Sequence, residues 1–128
     1  MGIRVGIDLV SVAAVEEAVD AHAERYLERI YTERELDDCA HPLGVDAERL
    51  AGRFAAKEAV LKVLRPDDEA VPWRTIDVRR HRSGWVDLEL SGRAAALARE
   101  AGVGDMAVSI THEGGYASAV VVAEVHGA

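Results

Sequence analysis

From Asp46 to Leu64 the chain can form one long helix, and Pro66 stops it. Proline lacks the amide N–H a helix needs and clashes with the preceding turn. Inside this helix runs Arg53-Phe54-Ala55-Ala56-Lys57-Glu58-Ala59-Val60-Leu61-Lys62. On a wheel of about 100° per residue, Leu50, Phe54, Leu61 and Leu64 form an apolar stripe. Lys57 falls within that stripe. Glu58 and Lys62 sit on one shoulder and Arg53 on the other. A helix that only buries a stripe has no use for so many charges. Two readings stand. In one, Glu58 and Lys62 make an i,i+4 ion pair worth ~0.2–0.5 kcal/mol, and Lys57 snorkels to water. In the other, Glu58 is a metal ligand and the cations meet phosphates. A hard carboxylate suits Mg²⁺, which uses one or two protein carboxylates plus substrate phosphates.

The other elements follow from periodicity and punctuation. Ile3, Val5, Ile7 and Leu9 alternate with Arg4, Gly6, Asp8 and Val10, the pattern of a strand. Ser11 can cap a helix running to about Asp20, with Glu16 and Glu17 favoured near its positive end. Residues 22–40 fit one or two short helices, with Thr32 as a second cap, and His41-Pro42-Leu43-Gly44 is a break. Thr75–Arg80 and Trp85–Leu90 form a hairpin pattern around His81-Arg82-Ser83-Gly84. Ser91 caps an alanine-rich helix ending at Gly102. Strands Met106–His112 and Tyr116–Val125 close the chain through Gly114-Gly115. Hairpin neighbours predict an α+β fold rather than a wound parallel sheet. The 128 residues, without repeat or long linker, predict a single domain over 1–128.

Composition excludes several classes. A net charge of −8 argues against nonspecific nucleic-acid binding, which needs a basic surface. The lone Cys39 rules out an internal disulfide and a thiolate zinc cluster. No apolar run approaches the roughly 20 residues that span a bilayer. Arg4 and Asp8 interrupt any secretory apolar region. The expected location is the cytoplasm.

Two further positions carry chemistry. Asp8 ends an otherwise hydrophobic strand and either receives amide hydrogen bonds from the next helix or works as a ligand. A carboxylate near Glu58 would repel it unless a cation sat between them. His112 ends its strand against the Gly114-Gly115 turn, on the face opposite Ser109 and Thr111. It is either a locally hydrogen-bonded residue or a contact for a phosphate or a base.

Gly6-Ile7-Asp8, the Arg53–Lys62 run and Ser109-Ile110-Thr111-His112, in this order and spacing, resemble the 4'-phosphopantetheinyl transferases. The similarity is strongest to the short, holo-acyl-carrier-protein-synthase type, and covers Ile3 to about Glu124. It implies an α+β fold in which one long helix and shorter ones pack on an antiparallel sheet. It implies a homotrimer with an active site at each subunit interface. It also implies transfer of 4'-phosphopantetheine from coenzyme A to a serine of an apo acyl carrier protein, with Mg²⁺, in fatty-acid or polyketide biosynthesis. Asp8 and Glu58 would ligate the metal, and Lys62 would act beside them on the leaving phosphate. Arg53, Lys57, Lys62, Ser109, Thr111 and His112 would line the coenzyme A site. Arg25, Tyr26 and Arg29 match the family's carrier-docking segment.

The sequence departs from that pattern in its first helix. Val12-Ala13-Ala14-Val15-Glu16-Glu17 lacks the arginine that the short type uses to dock an acidic carrier. Like charges across an interface slow encounter and cost affinity. Either the carrier is narrower or less acidic than the fatty-acid one, or Arg25, Arg29 and Arg34 suffice. Arg79, Arg80 and Arg82 flank the middle hairpin's turn, as a solvated edge or as coenzyme A contacts. Two other functions remain open: a catalytically silent carrier-binding relative, and a different Mg²⁺-dependent phosphate enzyme. The missing glycine-rich phosphate loop disfavours an ordinary nucleotide hydrolase.

Overall fold

The computed structural model describes residues 1–127. Three long strands form an antiparallel sheet in the order β1-β7-β6, with β1 at Gly2–Ser11, β6 at Val103–Glu113 and β7 at Tyr116–Val125. Gly114 (φ 61°) and Gly115 (φ 85°) join β6 to β7, where Glu113 pairs with Tyr116. Two consecutive positive φ angles are the signature of a type I′ turn, whose twist matches that of the strands.

Helix α4, Ala47–Leu64, lies against the inner face of this sheet. Asp46 caps it, its carboxylate accepting from Arg49 N at 3.2 Å. Two glycines set how closely it lies. A Cβ at Gly6 of β1 would overlap the Ala59 carbonyl, and one at Gly52 of α4 would press on Ile110 of β6. The helix is buried around most of its circumference, not along one stripe. Leu50, Ala51, Gly52, Arg53, Ala55, Ala56, Lys57, Ala59, Val60, Val63 and Leu64 are all buried. Small alanines let neighbours approach on several sides.

Around α4 stand α1 (Val12–His22), α2 (Glu24–Ile30) and α3 (Glu33–Cys39) on one side. A two-stranded ribbon, β2 (Ala40–His41) with β3 (Gly44–Val45), occupies the expected break. The hairpin β4 (Ile76–Arg80) with β5 (Val86–Leu90) and helix α5 (Gly92–Ala101) complete the fold. Ser11 caps α1, accepting from Ala14 N at 3.2 Å. Glu16 and Glu17 lie beyond the first turn, because α1 begins at Val12, so they miss the dipole position the sequence suggested. Thr32 caps α3 in a full capping box with Glu35.

The alternation in β1 sorts its faces unexpectedly. Gly6 is buried against α4, and Asp8 and Val10 are half-buried on the same side. Ile3, Val5, Ile7 and Leu9 point outward, 71, 60, 61 and 64 % exposed.

Candidate active site

The close β1–α4 contact at Gly6 brings the end of β1 to the last turns of α4. Lys62 Nζ donates to the Ile7 carbonyl at 2.7 Å and meets Asp8 Oδ1 at 3.3 Å. Asp8 does not cap α1, since Ser11 does that. Its backbone carbonyl accepts from Ser118 Oγ at 2.9 Å. Glu58, one turn before Lys62, is half-buried. Burial pushes its carboxyl above the ordinary range, the Asp8 charge pushes it further, and Lys62 opposes both. Two carboxylates therefore share a seam with one ammonium, and they repel.

A second group sits further back along α4. A cleft of about 340 Å³ is lined by residues that include Arg53, Arg80, Trp85, Ser109 and His112. Arg53 is buried, and its Nε and one terminal nitrogen have no hydrogen-bond partner. Its other nitrogen reaches only the Arg49 carbonyl, at 3.4 Å. A buried guanidinium with idle donors costs stability unless an anion completes it. His112 Nδ1 stands 3.3 Å from Glu48 Oε1 at the same cleft. Ser109 and Thr111 lie on the outer sheet face with the exposed β1 residues, and Thr111 is not among the cleft's lining residues.

Lys57 requires a correction. Its side chain is fully buried, and its ammonium has three partners in the core. It lies 2.8 Å from Glu35 Oε1, and donates to Trp73 O at 3.1 Å and Ile76 O at 2.5 Å. Glu35 also accepts from Thr32 N at 2.8 Å and Val78 N at 2.7 Å. Burial pushes the Glu35 carboxyl up and the Lys57 ammonium down, and their contact opposes both shifts. Lys57 binds the fold together and has no donor left for coenzyme A. The sequence reading missed Glu35 altogether. The Thr32-x-x-Glu35 spacing of a capping box was the available signal.

The expected carrier-docking residues lie on α2. Arg25, Tyr26 and Arg29 line a shallow groove of about 360 Å³ with His22, Ile30 and Trp73. The Tyr26 hydroxyl is 2.8 Å from that of Tyr31, so Tyr26 is partly committed to the core. A separate groove of about 550 Å³ is lined by Glu16 and Asp20 of α1 and by Asp46 and Glu48 at the start of α4.

The family model for the 4'-phosphopantetheinyl transferase superfamily matches residues 4–121. The chain belongs to this superfamily. It is 38 % identical over 120 residues to the holo-[acyl-carrier-protein] synthase of Halothermothrix orenii, covering 94 % of this chain and 95 % of that one. To the synthase of Gloeobacter violaceus it is 41 % identical over 118 residues, covering 92 % and 89 %. The solved ACPS–CoA complex of Chronobacterium ammoniagenes superposes with a TM-score of 0.85 at 31 % identity, covering 98 % and 99 %. The α+β fold expected from the sequence is that of these enzymes, and the transferase superfamily is the class in which the seam and cleft must be understood. Among the described residues, no three or more His, Cys, Asp or Glu side chains gather into a metal cage.

Proposed function

We propose that residues 1–128 form one 4'-phosphopantetheinyl transferase domain that moves the phosphopantetheine of coenzyme A onto a serine of an apo acyl or peptidyl carrier protein. The observation that carries this is the meeting of Asp8, Glu58 and Lys62 at the β1–α4 seam, with the idle Arg53 guanidinium on the same helix.

The serine oxygen attacks the phosphorus that bears pantetheine. The bond from that phosphorus to the departing 3',5'-ADP breaks, and the hydroxyl proton passes to Glu58 or to water. The Lys62 ammonium takes up charge developing on the leaving phosphate, and Arg53, Ser109, Thr111 and His112 hold the nucleotide end. Catalysis of this kind is mainly positioning and electrostatics. The residues fit Mg²⁺: two mutually repelling carboxylates leave a cation most of its positions for water and phosphate oxygens. Bound there, the metal would offset pyrophosphate charge and polarise the phosphorus.

The partner is read from charge. Arg25 and Arg29 stand exposed on α2 and suit an acidic recognition helix, while the acids of α1 face the neighbouring groove. This split supports a carrier less acidic on one flank than the fatty-acid carrier. The outward face of β1, with Val122 beside it, is an apolar patch of the kind that marks an interface. We assign it to contacts within a homotrimer, which would place Ser109 and Thr111 of one copy against another. The cytoplasm is the proposed location, in keeping with the buried, unpaired Cys39.

Incubation with coenzyme A, Mg²⁺ and a panel of apo carriers, followed by intact mass measurement, tests the proposal. A carrier should gain one phosphopantetheine. No gain with any carrier would leave a silent carrier-binding protein instead.

A further inference from the structure

Helix α4 ends on a residue type that strains its own backbone. Arg65 caps it with φ 54° and ψ 63°, in the left-handed region, and its N–H donates to the Leu61 carbonyl at 2.9 Å. Glycine holds such a position without strain, because it has no Cβ. Asp67, two residues on, repeats the conformation with φ 54°. The segment is nonetheless pinned. Glu69 N donates to the Pro66 carbonyl at 3.2 Å, which closes a turn. The Glu69 carboxylate accepts two hydrogen bonds from Arg93 of α5, both at 2.6 Å, and Arg93 also donates to Glu100 at 2.7 Å. Non-glycine residues persist in this region where their surroundings impose it, and such places gather at functional sites.

This one lies at the rim of the β1–α4 seam. Glu58, Lys62 and Arg65 follow the i, i+4, i+7 spacing of one helical row. The Arg65 backbone stands about 4.5 Å beyond that of Lys62 along the axis. The neighbouring cations are engaged. Arg4 donates to the Val63 carbonyl at 2.9 Å, Lys62 holds the Ile7 carbonyl and Asp8, and Arg93 is shared by two glutamates. Arg65 is exposed, and no described residue gives it an ion pair or a side-chain hydrogen bond. In the transferase reading the phosphates fall to Lys62 and Arg53, and the pantetheine arm carries no charge. A carrier that brings its serine to the seam must also cover the surface one helical turn away.

We propose that Arg65 is a specificity residue for the carrier, its guanidinium pairing with a carboxylate beside the modified serine. This rests on the transferase reading and adds a contact outside the α2 docking segment. It gives a chain of net charge −8 a cation where the serine enters, while Glu16 and Asp20 of α1 oppose acids elsewhere on the carrier. Charges at such a rim set encounter rate and partner choice.

Binding and unfolding measurements test the assignment. The probe is a labelled apo fatty-acid acyl carrier protein, titrated with the full chain and followed by anisotropy without coenzyme A. Arg65→Gly relieves the left-handed strain, so it should raise the melting temperature while weakening carrier binding about fivefold, what a well-formed exposed ion pair supplies. A residue that only held the fold would not move the two in opposite directions. Arg65→Lys should keep most of the affinity, Arg65→Glu should lose more, and added salt should close the gap. Arg99→Ala removes an exposed charge from α5 and should bind as the wild type does. KM for coenzyme A should be unchanged in Arg65→Gly. Wild-type carrier affinity in Arg65→Gly would overturn the proposal, as would an equal loss in Arg99→Ala or a raised KM for coenzyme A. A fall in both melting temperature and affinity would make Arg65 a structural residue, and a wild type that binds no carrier would leave it no partner. The two readings fail separately. Binding that depends on Arg65 without transfer keeps the contact and removes the transferase. Transfer with binding indifferent to Arg65 does the reverse.

Discussion

The Lys57 ammonium and the Glu35 carboxylate lie 2.8 Å apart with neither side chain exposed to solvent. This pair joins α4 to α3, and through Val78 N and Ile76 O it also ties both helices to β4. A buried pair that loses one partner leaves an uncompensated charge. Lys57→Met should therefore destabilise the fold by about 3–5 kcal/mol, read as a lower urea midpoint. Glu35→Leu combined with Lys57→Met should recover most of that loss. A Lys57→Met protein of normal stability but raised KM for coenzyme A would return Lys57 to the binding site.

Gly6 sets the distance between Asp8 and the end of α4. Gly6→Ala should cost about 1–3 kcal/mol of stability and reduce kcat, because the new methyl must push β1 off the Ala59 carbonyl. Thermal unfolding and transfer kinetics check both effects. Wild-type values in both would show that the seam tolerates separation.

Asp8 and Glu58 repel in the metal-free seam. Glu58→Gln should raise the melting temperature of the metal-free protein, because it removes a charge that burial and Asp8 both disfavour. With coenzyme A present, Mg²⁺ should raise the wild-type melting temperature and leave that of Asp8→Asn or Glu58→Gln unmoved. A binder present at a hundred times its dissociation constant would add ~2.7 kcal/mol. Equal Mg²⁺ responses in all three proteins would remove the metal from this seam.

Much of this was legible in the sequence, and the exceptions share a cause. The strand alternation of β1, the Ser11 and Thr32 caps, the Pro66 stop and the glycine turn are local signals, and the structure keeps them. The position of Lys57 depends on Glu35, twenty-two residues away and on another helix, which no wheel drawn on α4 alone can contain. The orphaned donors of Arg53 likewise appear only when β6 and the β4–β5 hairpin close around it. Alternation located β1 but could not say that its richer apolar face turns away from the core.

That outward face gives another test. Val5→Lys places a charge at an exposed position, so the subunit should still fold. Sedimentation should show a trimer for the wild type and smaller species for the variant. A variant that sediments as the wild type does would move the interface elsewhere.

Cys39 is buried, and burial pushes its thiol up to about 11. The thiolate is the reactive form. Alkylation at pH 8 should be slow in the native protein and fast after denaturation, rising in the native state only as the pH nears that value. Rapid native labelling at pH 8 would contradict the placement of Cys39 in the core.

The most direct test measures the rate at which an apo carrier gains phosphopantetheine with the wild type and with Glu58→Ala, both shown folded by circular dichroism. The seam account predicts a loss of about a hundredfold or more, ~2.7 kcal/mol of barrier, with the carrier still bound. Transfer at the wild-type rate by Glu58→Ala would contradict it.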